Sequence, residues 1–374
     1  MKVMTVVGTR PEIIRLSIVI PLLDSVADHS LVHTGQNYDD RLGGLFFREL
    51  NVRPPDVHLG ARGDSFGEQA GQILAGVERE LRRRRPDRLL ILGDTNSGLS
   101  AIVARRLGIP VYHMEAGNRC FDDRVPEEVN RRIIDHASSV LMPYTERSRE
   151  NLLKEGFDSH RVLVTGNPIK QVIDQHARRI AASDALQQHG VESRKYILAS
   201  MHRAENVDRE DVLANLVTAL ETTGEQFDVP VICSFHPRTR NRIDKFGLRG
   251  AGKRLRFVDP LGFFDFVKLE QEAFCVISDS GTVQEEACLF QTPNVTIREV
   301  TERPETLECG SNILAGSDPE RIRNSVAFVT SRSTGWLPPA EYLAPCVAET
   351  VVRIVTGYRP ADRAEQEWQS GTRL

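Results

Sequence analysis

Several residues with reactive or charged side chains directly follow short apolar runs in this 374-residue chain: Arg10, Asp94, Glu115, His202, His236 and Ser280. Asp94 and Glu115 could move protons, Arg10 and the histidines could hold anions, and a serine before a helix could donate to a phosphate. A carboxylate at the end of a buried run must be solvated, paired or functional. A third carboxylate, Glu127, lies in Val125-Pro126-Glu127-Glu128-Val129-Asn130-Arg131. Pro126 fits the first turn of a helix, and Glu127 and Arg131, four apart, share a face. Local alternatives stand beside each reading. Asp94 could cap the next helix, Glu127 and Arg131 could form a surface ion pair, Arg10 could pair with Glu12 at the surface, and lone histidines are usually structural.

The stretch Phe274 to Cys288, FCVISDSGTVQEEAC, is the most specific. It reads as a buried strand, a turn of small residues and the first turns of a helix. That arrangement aims free N–H groups and the positive end of the helix dipole at one point, which suits a phosphate. Gly281 would let an anion approach the backbone, Ser280 adds a hydroxyl, and Glu285 or Glu286 could accept both hydroxyls of a ribose. The plain alternative is a strand–helix connection capped by its own Ser and Asp. Glu302-Arg303-Pro304-Glu305 would bring Arg303 to the same mouth, or form a solvated loop.

These residues need a scaffold that ends many strands on one side. Short apolar runs at Lys2–Val7, Leu31–Val32, Arg88–Leu92, Val111–Met114, Ser139–Met142 and Arg161–Val164 are separated by helical patterns, the first running through Leu23. A second series starts at Tyr196–Ser200 and continues with Val229–Phe235, Leu255–Val258, Phe274–Ile277, Asn294–Ile297 and Asn312–Leu314, before a last helix at about Leu343–Thr356. Alternating strands and helices predict parallel, doubly wound sheets, whose ligands bind outside the carboxyl ends of the strands. Two such sheets facing one another would put both sets of residues in one cleft.

Bulk properties narrow the function classes. The length favours two domains, and a net charge of −4 argues against non-specific nucleic-acid binding. Six dispersed cysteines without a CxxC pair read as reduced thiols in a cytoplasmic protein rather than a disulfide scaffold or zinc site. No apolar run approaches membrane-spanning length, and a first strand at residue 2 leaves no room for a signal peptide. Neither GxGxxG after the first strand nor GxxxxGK[ST] is present, so nicotinamide and P-loop chemistry are disfavoured. The basic run Arg82 to Arg85 before Pro86 reads as a helix end.

Taken together, GTRPE at Gly8, LGDTNS at Leu92, HMEAGNR at His113, PEEVNRR at Pro126, TGNP at Thr165, MHRAEN at Met201, SDSGTVQEE at Ser278 and TERPE at Thr301 resemble the non-hydrolysing UDP-N-acetylglucosamine 2-epimerases over nearly the whole chain. HTGQNYD, LGDTNS, HMEAGNRCFD and VPEE look closest to the branch acting on UDP-2-acetamido-2,6-dideoxy-hexoses. The resemblance implies an α/β, GT-B-type architecture of two Rossmann-like domains, with boundaries expected at 1–168 for the carboxylate-bearing domain, 169–357 for the UDP-binding domain and 358–374 for a polar tail. It implies reversible inversion at C2 without NAD or metal, through elimination of UDP to a 2-acetamidoglycal. It also implies that Asp94, Glu115 and Glu127 handle the C2 proton. Arg10, His202 and the Ser280–Gly281 helix start would hold the diphosphate, Glu286 the ribose and Phe266 the uracil, and Arg131 and Arg303 would be pocket arginines. His236, from its own place at a strand end, reads as structural or as positioning the substrate. Arg15 and Thr282 stand where many members have Lys and Gly. A Thr at 282 would exclude Gly-only backbone angles and could add a phosphate contact. The expected assembly is a homodimer that closes over its UDP-sugar. A 6-deoxy UDP-sugar is the nearest alternative substrate. A GT-B glycosyltransferase and a non-catalytic nucleotide-sugar binder are the competing classes.

Overall fold

A computed structural model describes residues 1–36, 40–235, 237–248, 253–331 and 335–359, without the side chains of 40–43, 235, 237 and 238. The chain divides into two compact units, one made of Met1–Val172 and the chain from Ala340, the other of Ile173–Pro339.

The first unit holds β1 (Lys2–Val7), β2 (Asp28–His33), β3 (Val57–His58), β4 (Arg88–Leu92), β5 (Val111–Met114) and β6 (Val140–Met142), all parallel, in the order β3-β2-β1-β4-β5-β6. The second holds β7 (Ile197–Met201), β8 (Val231–Phe235), β9 (Leu255–Val258), β10 (Cys275–Ser278), β11 (Asn294–Thr296) and β12 (Asn312–Leu314), in the order β12-β11-β10-β7-β8-β9. Read from the other edge, the two orders are the same. Each sheet grows outward one way from its first strand, then jumps back and grows the other way. Each is therefore a Rossmann-like doubly wound unit, with its switch point between β1 and β4 or between β7 and β10.

Near-continuous Val, Ile and Leu runs form these strands because helices cover both faces of a parallel sheet. The helix Phe66–Arg84 shows how one face is covered. Ser65 caps it by accepting the Glu68 N–H at 3.2 Å, and Ile73, Val77 and Leu81, four apart, bury against Met4, Val6, Leu89 and Ile91. Each such side chain contributes about 1.5–3 kcal/mol. The helix ends at the basic run as expected, where Arg82 bonds Glu78, and Arg83 and Arg84 bond Glu80.

Several expectations need correction. The opening helix breaks into Arg10–Leu16 and Val19–Val26. The run Arg161–Val164 pairs with β6 through a bridge from Leu141 to Val162, preceded by the 3-10 turn Ser159–Arg161, and forms no strand. Its extended continuation donates from Leu163 N to Leu141 O and from Thr165 N to Pro143 O. The two-residue β3 was too short to leave a pattern. The last helix, Val347–Gly357, was expected in the second domain but belongs to the first unit. It packs on the helix Val19–Val26, Tyr112 donates to the Tyr358 carbonyl at 2.6 Å, and Gln171 bonds Glu349 at 2.8 Å. The break between the units falls after Val172 rather than Pro168. The tail from residue 360, with Trp368, lies outside the described residues.

Candidate active site

In the first unit, the turn after β1 is organised by Glu12. Its carboxylate accepts the Gly8 and Thr9 N–H groups at 2.9 and 2.6 Å, the Thr9 hydroxyl at 2.7 Å and the Thr95 hydroxyl at 3.0 Å. Thr9 and Glu12 form a capping box for the helix Arg10–Leu16. Through Thr95 the same carboxyl ties the loop after β4 to the loop after β1, across the switch point. Burial pushes the Glu12 carboxyl up to about 7, against the pull of these hydrogen bonds. Glu12 is thus no surface partner for Arg10, whose guanidinium lies 5.7 Å from the Phe46 ring centroid.

Asp94 follows β4 and meets Arg131, whose Nε donates to Oδ2 at 2.8 Å. Asn130 donates to the Asp94 carbonyl at 3.0 Å, so one helix, Pro126–Ala137, holds both side chain and backbone. The cap position of the next turn belongs to Thr95, not Asp94. Arg131 is itself fixed by the buried Glu128, at 2.7 Å. Burial opposes charge on Glu128, but the Cys120 N–H and the Arg131 guanidinium hold its carboxyl below the usual range. Glu127 sits one residue earlier, half-buried in the first turn of that helix.

Glu115 follows β5 with φ +65°, in the left-handed region that non-glycine residues enter at a cost of about 1–3 kcal/mol. Arg15 holds it at 2.7 Å and lies over Tyr144, and Asn118 reaches its other oxygen at 3.3 Å. The buried Asp135 stabilises this turn from beneath. It accepts from the Gly117 N–H at 3.2 Å and pairs with Arg119 at 2.7 Å, while His113 bridges Asp135 and the Gly93 carbonyl, each at 2.9 Å. Burial works against the Asp135 charge, yet His113 and Arg119 keep its carboxyl below its ordinary value.

In the second unit, Asp279 at the end of β10 does for β7 what Glu12 does for β1. Fully buried, it accepts the backbone N–H groups of His202 and Arg203, at 3.0 and 2.9 Å, and Asn206 Nδ2 at 3.1 Å, and it pairs with His202 Nδ1 at 3.0 Å. Burial disfavours its charge, but His202 and these N–H groups hold the carboxyl far below the usual range. The imidazole is thereby aimed from the far side of the switch point while remaining 45% exposed.

Ser280 is the N-cap residue of the helix Gly281–Phe290, and its hydroxyl lies 2.9 Å from that of Thr282. Thr282 occupies the second helical position, so no glycine-only backbone is needed there. A Cβ on Gly281 would come 2.7 Å from Glu302 Oε1; the close neighbour requiring glycine is this carboxylate. Glu302 is buried, bonded to Arg298 at 2.8 Å and Arg203 at 3.2 Å. Arg303 is buried too and pairs with Glu285. The TERPE segment is therefore a packed wall rather than a solvated loop, and Glu285 is committed to Arg303. Glu286, one residue on, remains the candidate for a ribose. Phe266 packs half-buried beside Leu261 and Val258. His236 lies outside the described residues.

The structure thus groups Arg10, Arg15, Asp94, Glu115, Glu127 and Arg131 on the first unit, and His202, Phe266, Ser280, Gly281, Thr282, Glu286 and Arg303 on the second. Sequence reasoning missed the anchoring acids Glu12, Glu128, Asp279 and Glu302. Only Glu12 left a signal, the T-x-x-E spacing of its capping box. No group of His, Cys, Asp or Glu suited to a metal ion occurs among the described residues, and no helix among them is long and apolar enough to cross a membrane.

Two Rossmann-like units in one chain, each with its polar groups at the switch point, are the GT-B-type plan. The chain belongs to the UDP-N-acetylglucosamine 2-epimerase family, whose sequence profile matches residues 23–356. It is 38% identical to the UDP-N-acetylglucosamine 2-epimerase of Methanocaldococcus jannaschii over 364 residues, 95% of this chain and 99% of the relative. The crystal structure of the M. jannaschii enzyme in complex with UDP-GlcNAc and UDP superposes with a TM-score of 0.91, covering 95% of this chain and 99% of the other. A UDP-2,3-diacetamido-2,3-dideoxy-D-glucuronate 2-epimerase of Pseudomonas aeruginosa is 36% identical over 87% of this chain and 91% of its own.

Proposed function

We propose that this chain interconverts UDP-N-acetylglucosamine and UDP-N-acetylmannosamine by inverting C2. The observation that carries the reading is the pair of arginine-anchored carboxylates, Asp94 on Arg131 and Glu115 on Arg15, at the ends of adjacent strands of a member of this family. Elimination removes the C2 proton and breaks the C1–O bond, leaving a 2-acetamidoglycal and UDP. Protonation at C2 from the opposite face and return of UDP to C1 complete the inversion. Asp94, Glu115 and Glu127 serve as the proton-handling groups. The arginine partners keep Asp94 and Glu115 oriented. Arg10, His202 and the Ser280–Gly281 turn, with Thr282, stabilise the charge that develops on the departing diphosphate. Glu286 receives the ribose, Phe266 flanks the uracil, and His236 and Arg303 shape the remainder. This route uses no NAD or metal. A homodimer is the proposed assembly, testable by light scattering.

Proton NMR with UDP-N-acetylglucosamine in D₂O tests the reading. The expected result is loss of the C2 proton signal as UDP-N-acetylmannosamine grows. Free UDP with free N-acetylmannosamine would instead mean hydrolysis. No exchange would overturn the substrate assignment and direct the same assay to the 6-deoxy UDP-sugar.

A further inference from the structure

Glu270 is a buried acid that takes no part in the ion pairs and loop contacts of the site. It lies on the helix Phe263–Glu272 and is fully buried. No hydrogen-bond donor among the described residues reaches either of its oxygens. An ionised carboxylate cannot be held that way, because desolvation without a partner is too costly. The group that faces it is another carboxyl, that of Glu286 on the helix Gly281–Phe290. Tyr196 is the other ionisable neighbour, and its hydroxyl is committed to the Leu269 carbonyl. Two carboxylates only accept, so they can bond to each other only when they share a proton. Burial first, then Glu286, drives the Glu270 carboxyl well above its ordinary range, which puts the proton on Glu270.

We propose that Glu270 is a positioning residue, a neutral acid that donates one hydrogen bond to the Glu286 carboxylate and thereby fixes the oxygen that receives the ribose hydroxyls of the uridine nucleotide. The inference rests on the reading of Glu286 given above. It also accounts for a buried acid at this position: a hydrophobic residue there would pack as well but donate nothing to Glu286. The neighbouring Glu285 cannot substitute, being tied to Arg303.

The test compares UDP with 2′-deoxy-UDP by calorimetry on the wild type, Glu270→Gln, Glu270→Leu and Glu286→Gln. Gln can donate in place of the acid and should keep the wild-type preference for UDP within about twofold. Leu removes the donor and should weaken UDP about tenfold, as expected for loss of one hydrogen bond to a charged group. It should leave 2′-deoxy-UDP nearly unchanged, raise KM for the UDP-sugar and spare kcat. The melting temperature of Glu270→Leu should hold or rise, since an apolar group replaces a buried acid. A purely structural residue would instead lower stability and affinity together. If Glu286→Gln loses the preference while Glu270→Leu retains it, the Glu270 proposal is overturned and the ribose reading stands. If Glu286→Gln retains it, the ribose reading fails and takes the proposal with it.

Discussion

Arg15 and Glu115, 100 residues apart in sequence, form an ion pair of 2.7 Å that is buried on the arginine side. The arginine is almost wholly enclosed, and the glutamate stands on a left-handed backbone. Removing Glu115 leaves the buried Arg15 guanidinium without this carboxylate. Glu115→Met should therefore cost about 3 kcal/mol of stability. The double variant Arg15→Met, Glu115→Met should recover much of that in urea denaturation, yet remain inactive. Glu115→Gln should fold normally and lose about 10²-fold or more in kcat. Full turnover by Glu115→Gln would remove it from the proton-handling set.

Stability should depend on pH through Glu12. Its folded-state value, raised from 4.5 to about 7, means that the folded protein holds a proton the unfolded chain has released. The associated stability is fully present below about pH 4.5 and is lost as pH rises through 7, with a ceiling of about 3 kcal/mol. Glu12→Gln should flatten that part of the melting-temperature profile between pH 5 and 8. An unchanged profile would show that Glu12 is ionised throughout.

Asp279 and His202 should separate folding from binding. Asp279→Ala leaves the His202 and Arg203 N–H groups without their acceptor and should cost about 3 kcal/mol, with UDP binding lost in calorimetry. His202→Ala keeps those backbone bonds to Asp279 and should melt near the wild type while losing activity. Equal losses of stability in both variants would make His202 a structural residue.

Gly281→Ala places a methyl group against Glu302 Oε1. That carboxylate is held by Arg298 and Arg203 and cannot move without breaking an ion pair. The variant should lose on the order of 1–3 kcal/mol of stability to overpacking. Adding Glu302→Ala should relieve the clash, which a melting curve of the double variant would reveal.

Most strands, and the residues that follow them, were legible because a parallel strand is a local run of apolar residues and its end a local change of composition. Asp94, Glu115, His202 and Ser280 were found that way. What stayed hidden is non-local. The carboxylate that Arg15 holds, Glu115, lies 100 residues on, and Asp279 reads as a helix cap until it is found holding the loop after β7, 77 residues away. For the TERPE segment a place at the site mouth and a solvated loop both stood open, because Glu285 and Arg203, which pair with its charges, lie in other elements and only Arg298 is near in sequence. The short β3 and the bridge at Val162 are fixed by their neighbours in space, which no periodicity records.

The chain leaves the first unit at Val172 and returns to it at Ala340. The second unit is therefore an insertion within the first in sequence terms, and the two differ in how they come off the ribosome. The second can complete its sheet as soon as its own residues emerge. The first waits, with the apolar face of the helix Val19–Val26 uncovered, until Val347–Gly357 has been made. Nonsense mutations far from any catalytic group, between Pro339 and the end of the helix Val347–Gly357, would leave the carboxylate-bearing unit without part of its core.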